Sequence, residues 1–211
     1  MKAFIFDLDG VIVFTDKFHY QAWKKIADEM GIYFDEEINN RLRGVSRMDS
    51  LEIILERYEG EPLSQKEKED LAERKNGLYR ELLNTMTPED VSSEVRSTLK
   101  ELQNRGYLLA VGSSSKNAKF ILAKVDLLHA FDAISDGTNI TRSKPDPEVF
   151  LKAAEFLGAA PEECYVVEDA QAGIDAAKAG GMQAIGIGEA GTYDKTDVPI
   201  SKFKELLSFA E

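Results

Sequence analysis

Five short apolar runs, separated by helical patterns, constrain the fold of this chain more than any other feature. Between the runs, helices are predicted at about 92–104, 116–124, 146–157 and 170–179. The runs lack alternating polar residues, which is typical of strands covered on both faces of a sheet. This order predicts the α/β class, with a parallel sheet flanked by helices. The runs are AFIF at 3–6, YLLAVG at 107–112, FDAIS at 131–135, CYVV at 164–167 and MQAIGIG at 182–188.

The segment between the first two runs has a different character. Residues 16–86 carry helical periodicity and no convincing strand. We therefore predict a core domain formed by residues 1–15 and 87–211, and a helical cap domain formed by residues 16–86. Connectors near 10–15 and 86–91 are candidate hinges.

Composition narrows the range of partners. The 26 lysines and arginines are outnumbered by 38 aspartates and glutamates, giving a net charge of −12. A net negative charge of this size repels nucleic acid and anionic membranes. No apolar stretch approaches the length of a membrane span. We therefore expect a small soluble ligand. If that ligand is anionic, a local cluster of positive charge must attract it, because the net charge of the protein repels it. The single Cys164, together with the lack of a signal-peptide core at the N-terminus, predicts a cytoplasmic protein, and the acidic surface favours a monomer.

The acidic pair after the first run is the strongest chemical signal. Asp7 and Asp9, followed by Gly10, are two residues apart and face the same way on an extended backbone. One carboxylate can attack a phosphoryl group while the other handles a proton, and a divalent cation can offset their repulsion. A calcium loop of the EF-hand type is disfavoured because its fifth and sixth positions would hold Val11 and Ile12. A plain acidic turn is the other alternative.

Hydroxyl and amide groups follow the second run. Ser113, Ser115, Lys116 and Asn117 offer a phosphate cradle at a helix start. Serine-rich helix caps without a ligand are equally common, so this signal needs support from others.

Two further signals follow later strands. Lys144 lies between prolines in SKPDP, where it could neutralise charge on Asp7 and on phosphoryl oxygens, although exposed loop lysines are common. Glu168 and Asp169 follow the fourth run and could complete a hard-cation site, or only cap the helix that opens at Ala170.

Taken together, the order Asp-x-Asp-Gly, Ser, Lys, Glu-Asp at four strand ends resembles the haloacid dehalogenase superfamily over essentially the entire chain. The resemblance implies a Rossmann-like core with an inserted helical cap. It also implies an aspartyl-phosphate on Asp7, Asp9 as general acid and base, and one Mg²⁺ per active site. By the same resemblance, Ser113 and Lys144 complete the catalytic set. The implied metal ligands are Asp7, the main-chain carbonyl of Asp9, and Asp169, with Glu168 in or next to that shell.

Motifs in the cap narrow the resemblance. The run LRGVSRMDS at 42–50 places a glycine between two arginines able to grip a second phosphate, and RKN follows at 74–76. These motifs, with His19 and Trp23, resemble the β-phosphoglucomutase family. Simpler interpretations are a core position for Trp23, a surface position for His19 and solvated charges for the arginines.

That resemblance implies interconversion of β-glucose 1-phosphate and glucose 6-phosphate. The intermediate and primer would be β-glucose 1,6-bisphosphate. The sequence departs from the pattern of that family in two places. Val13 and Phe14 are apolar where the family carries polar residues, and Ala170 replaces a residue with a hydroxyl group. The implied substrate-binding residues are Thr15, His19, Trp23, Gly44, Val45, Ser46, Arg47, Lys75, Ser115, Lys116 and Asn117.

Two other functions stay open at this level. A sugar-phosphate or phosphoglycolate phosphatase would use the same fold, with Asp9 activating water against phospho-Asp7. A non-catalytic module that senses a sugar phosphate or a metal is the alternative outside the enzymes, and it would bind ligand without turnover.

Overall fold

The computed structural model describes residues 2–43 and 45–209, within which six strands form one sheet. Their order across the sheet is β3-β2-β1-β4-β5-β6, and each neighbouring pair is parallel. This confirms the predicted α/β class. The strands are β1 (Ala3–Phe6), β2 (Leu108–Gly112), β3 (Ala133–Ser135), β4 (Cys164–Glu168), β5 (Gln183–Ile187) and β6 (Val198–Ile200).

The last strand, β6, was not predicted. It has three residues with Pro199 at its centre, and such a segment reads as a loop in sequence. An edge position suits it, because Pro199 has no backbone N–H to donate to a second neighbouring strand.

The helices divide into two groups. Four lie between residues 16 and 83. The other four lie between residues 93 and 179, and they match the four predicted core helices to within about two residues. Short 3₁₀ segments span Pro88–Asp90, Pro161–Glu163, Gly188–Thr192 and Phe203–Ser208. The helices are α1 (Asp16–Glu29), α2 (Glu36–Asn40), α3 (Arg47–Leu55), α4 (Gln65–Leu83), α5 (Ser93–Asn104), α6 (Ala118–Lys124), α7 (Glu148–Leu157) and α8 (Gln171–Ala179).

Strand β1 lies at the centre of the sheet and is buried on both faces. Ala3 and Ile5 pack in an apolar cluster with residues of α7 and α8. Phe4 and Phe6 point to the opposite face, where their rings contact other aromatic rings. Both faces being covered explains why this strand is uniformly apolar.

The chain divides into two compact units. The sheet unit takes in the described residues up to Phe14 and from Met86 onward, and the helical unit runs from Thr15 to Thr85. No helix among the described residues is both long and apolar enough to cross a membrane.

The helical unit has an apolar core of its own. Helices α1, α3 and α4 contribute Trp23, Ile26, Leu51 and Ala72 to it. Helix α4 begins at a capping box, in which Ser64 and Glu67 satisfy each other's backbone amides.

Truncating a leucine of the sheet unit tests the packing. Leu109 on β2 is fully buried, so Leu109→Ala should lower the free energy of unfolding by about 2–5 kcal/mol. Leu151 on α7 is 38% exposed, so the matched Leu151→Ala change should cost below about 1 kcal/mol. Urea unfolding followed by circular dichroism measures both. Equal losses would contradict the assigned burial.

Candidate active site

Asp7 follows β1 directly and lies at the carboxyl edge of the sheet. Its amide donates to the carbonyl of Val167 at 2.9 Å, which continues the ladder between β1 and β4 by one step. Because the strands are parallel, Glu168 at the end of β4 reaches the same edge. The side chain of Asp7 is nearly buried, with 11% of it exposed.

Lys144 is the cation at this edge. Its ammonium lies 2.5 Å from Asp7 Oδ1 and 2.5 Å from Glu168 Oε1, and its side chain is 2% exposed. Burial alone would lower the pKa of Lys144, but the two carboxylates raise it above its ordinary value, so the lysine stays charged. Sequence alone left open an exposed loop lysine, and that alternative is wrong.

Glu168 has two functions in the structure. One carboxylate oxygen pairs with Lys144, and the other accepts from the amides of Asp169 and Ala170 at 2.9 and 3.0 Å. The Glu168 carboxylate thereby binds the backbone at the start of α8, where the side chain of Ala170 cannot accept a hydrogen bond. Gly173 leaves the room for this carboxylate, because a Cβ there would collide with it.

Asp169 completes a cluster of acids. One carboxylate oxygen from each of Asp7, Glu168 and Asp169 lies within 4.8 Å of the others. The turn at Gly10 makes space for Asp169: its φ is +91°, and a Cβ would strike the Asp169 carboxylate.

Crowding changes the acidity of this cluster. Burial raises the pKa of Asp7 to about 7, against the lowering effect of Lys144, and the charges of Glu168 and Asp9 add to the rise. Burial also raises the pKa of Asp169 to about 8, and the three neighbouring carboxylates add to it. Oxygen ligands and an excess of negative charge fit a hard divalent cation such as Mg²⁺.

Asp9 stands on the turn that leaves the sheet. The turn is closed by the Gly10 amide, which donates to the Val13 carbonyl at 2.7 Å, and by a bridge between Asp9 and Val13. Val13 is buried, whereas the neighbouring Phe14 is 68% exposed.

The loop after β2 is held by its own hydroxyl groups. Ser113 Oγ accepts from the amide of Ser115, and Ser115 Oγ accepts from the amide of Asn117, at 3.2 and 3.1 Å. Ser113 and Asn117 are buried, and Lys116 is exposed. The Ser114 hydroxyl, absent from the sequence-based set, is buried with no hydrogen-bond partner among the described residues.

In the helical unit, Arg47 is the first residue of α3. Its guanidinium donates to Asn76 at 2.9 Å and lies 3.4 Å from Glu73, both on α4. Burial lowers the pKa of Arg47, against the raising effect of Glu73. Ser46 caps the same helix by accepting from the Asp49 amide. Val45 is half-buried, and Gly44 lies outside the described residues.

Four other predicted substrate-binding residues, Thr15, His19, Trp23 and Lys75, lie at or near the facing sides of α1 and α4. Lys75 is buried, and its ammonium lies 2.8 Å from His19 Nδ1 and 4.9 Å from the centre of the Trp23 ring. Thr15, also buried, shares a 2.8 Å hydrogen bond with the hydroxyl of Tyr79. Tyr79 was missed in the sequence, although its spacing of four residues from Lys75 on one helix face could have indicated it.

Known proteins resemble this chain in both sequence and structure. A model of the haloacid dehalogenase-like hydrolases matches residues 1–181. A β-phosphoglucomutase of Bacillus subtilis is 42% identical over 207 residues, which cover 98% of this chain and 92% of that protein. A phosphorylated carbohydrates phosphatase of Thermotoga maritima is 30% identical, covering 88% of this chain and 84% of that protein.

Among solved structures, a β-phosphoglucomutase from Clostridium difficile superposes with a TM-score of 0.92 at 35% identity. The match covers 100% of this chain and 96% of that one, so it includes both units. These similarities confirm the resemblance inferred from the motifs. The chain belongs to the haloacid dehalogenase-like hydrolase family.

Proposed function

We propose that this protein interconverts β-glucose 1-phosphate and glucose 6-phosphate through β-glucose 1,6-bisphosphate and a phosphorylated Asp7. The observation that carries the proposal is a 42% identity, across 98% of the chain, to a protein named as a β-phosphoglucomutase. The acidic cluster with its buried lysine supports the chemistry, because it offers a nucleophile beside a fixed positive charge.

In the first half-reaction, phospho-Asp7 transfers its phosphoryl group to the 6-hydroxyl of β-glucose 1-phosphate. The bond between Asp7 and phosphorus breaks, a bond from the sugar oxygen to phosphorus forms, and Asp9 takes the hydroxyl proton. In the second, the Asp7 carboxylate attacks the phosphoryl group on the 1-oxygen, and Asp9 returns the proton to that leaving oxygen. Asp7 is thus rephosphorylated and glucose 6-phosphate is released.

Lys144 supports both steps by holding one oxygen of Asp7. Its ammonium, 2.5 Å from Asp7 Oδ1, orients that carboxylate and offsets negative charge as the phosphoryl group moves. The residues that would hold Mg²⁺ are Asp7, Asp9 through its carbonyl, and Asp169, with Glu168 beside them. When bound, the ion would neutralise charge on the Asp7 carboxylate and the phosphoryl oxygens.

The phosphate that is not being transferred needs its own ligands. Arg47 is suited to this, since a guanidinium binds phosphate through two parallel hydrogen bonds and Arg47 also opens a helix. In the sheet unit, Ser115, Lys116 and Asn117 offer a hydroxyl, a charge and an amide, and we propose them as phosphate ligands too. His19, Trp23 and Lys75 would contact the sugar, together with Thr15 and the segment from Gly44 to Ser46.

Hydrolysis is the second candidate. It is favoured by the relative at 30% identity that is named as a phosphatase acting on phosphorylated carbohydrates. In that reaction Asp9 would direct water, rather than a sugar hydroxyl, at phospho-Asp7.

A single assay separates the two functions. The protein is given β-glucose 1-phosphate, Mg²⁺ and a trace of β-glucose 1,6-bisphosphate, and glucose 6-phosphate and free phosphate are followed in the same tube. We expect glucose 6-phosphate with little free phosphate, and loss of turnover when EDTA replaces Mg²⁺. Dominant phosphate release would reject the mutase in favour of the hydrolase.

Asp7→Asn should abolish the phosphoenzyme and lower turnover by on the order of 10⁴-fold or more, because an amide is a poor nucleophile. Intact-mass spectrometry after brief exposure to β-glucose 1,6-bisphosphate detects the phosphoryl adduct. Asp9→Asn is the matched control: it should still acquire phosphate, slowly, because the nucleophile and the Asp9 carbonyl are kept. Substantial turnover by the Asp7 variant would refute the nucleophile assignment.

Arg47→Ala should weaken binding of the bisphosphate by about 10- to 100-fold, the typical value of hydrogen bonds to a charged group. Hydrolysis of the phosphoenzyme by water should change far less. Arg41→Ala provides the control, since Arg41 is also in the helical unit but pairs with Glu56 on an exposed surface. Equal losses of mutase and hydrolytic rates in the Arg47 variant would argue against a distal phosphate ligand.

A further inference from the structure

The ammonium of Lys75 lies in an aromatic environment within the helical unit. The side chain is almost fully buried, with the residue 3% exposed. The ammonium lies 4.7 Å from the centre of the Tyr79 ring and 4.9 Å from that of the Trp23 ring. A buried ammonium is costly unless it is compensated, and the electron-rich faces of aromatic rings attract it.

The ring of Tyr79 also limits the orientation of His19. The two ring centres are 4.1 Å apart, with an angle of 31° between the planes. The Lys75 ammonium, 2.8 Å from His19 Nδ1, can only donate a hydrogen bond. His19 Nδ1 therefore accepts, and the ring proton is placed on Nε2.

The hydroxyl of Tyr79 holds the ring in turn. It shares a 2.8 Å hydrogen bond with Thr15 Oγ1, and both residues are buried. Thr15 caps the start of α1, where its carbonyl accepts from the amides of Phe18 and His19. Tyr79 thus joins α4 to the first turn of α1.

We infer that Tyr79 is a positioning residue, which holds the Lys75 ammonium and the His19 ring in the arrangement needed to contact the hydroxyl groups of the sugar. The inference rests on the proposed function for the identity of the ligand. The spacing of four residues between Lys75 and Tyr79 on α4, and between Thr15 and His19 at the start of α1, places all four groups on facing sides of two packed helices. Tyr79 itself need not touch the substrate.

Two substitutions separate the ring of Tyr79 from its hydroxyl. Tyr79→Phe keeps the ring and removes the hydrogen bond to Thr15, whereas Tyr79→Leu removes both. Tyr58→Leu is the matched control, because Tyr58 packs against the apolar core of the same unit. It reports what the loss of any tyrosine ring does to the stability of the helical unit.

The first measurement is independent of activity. Nitrogen-15 NMR of the histidine side chains identifies which ring nitrogen carries the proton, and the exposed His129 of the sheet unit is an internal reference. We expect a single Nε2-protonated form of His19 in the wild type, in Tyr79→Phe and in Tyr58→Leu. In Tyr79→Leu we expect a mixture of tautomers.

The second measurement is the kinetics with β-glucose 1-phosphate. Tyr79→Leu should lower kcat/KM by roughly tenfold or more, mainly through KM, and Tyr79→Phe should recover most of the loss. An unchanged His19 signal in Tyr79→Leu, or an equal fall of kcat/KM in Tyr58→Leu, would overturn the inference. If the wild type releases phosphate instead of forming glucose 6-phosphate, the proposed function fails, but the NMR comparison still decides the role of Tyr79.

Discussion

The buried contact of Lys144 with two carboxylates is the interaction on which the arrangement of the sheet edge depends. The ammonium of Lys144 lies 2.5 Å from a carboxylate oxygen of Asp7 and 2.5 Å from one of Glu168. Asp7 directly follows β1, and Glu168 is the last residue of β4. Removing the lysine would leave two uncompensated charges in a site that is almost closed to water, a change that typically costs several kcal/mol. The same contact holds in place the Asp7 carboxylate that we propose as nucleophile. The stability of the sheet edge and the proposed phosphoryl transfer therefore depend on one ion pair.

The lysine alone does not neutralise the site. Asp169 and Asp9 bring further negative charge, and the pKa values of Asp7 and Asp169 rise to about 7 and about 8 as a result of burial and this repulsion. Stability of such a cluster improves when a divalent cation is added, because each carboxylate can then remain ionised without opposing its neighbours. The acids therefore suit a divalent cation, and holding them together costs the fold some electrostatic free energy.

In the helical unit, the two cations that we propose as substrate ligands have a different kind of partner. Both have neutral groups among their partners: Arg47 donates to Asn76, and Lys75 contacts His19 and the faces of Trp23 and Tyr79. Cations held in this way keep much of their charge available to a phosphate or a sugar hydroxyl, whereas a cation paired with a carboxylate does not. Arg47 also lies 3.4 Å from Glu73, and a bound phosphate would compete with that carboxylate.

The α/β class, the positions of β1 to β5 and the acids at the strand ends could all be predicted from the sequence, because uninterrupted apolar runs and helical periodicity are local properties of the chain. Three other features arise only from the packing of distant segments. Tertiary structure made β6 a strand through pairing with β5, gave Glu168 a place at the start of α8 as well as beside Lys144, and joined Tyr79 to Thr15 across 64 positions. Such contacts depend on how distant segments pack, and no local pattern encodes that distance or direction.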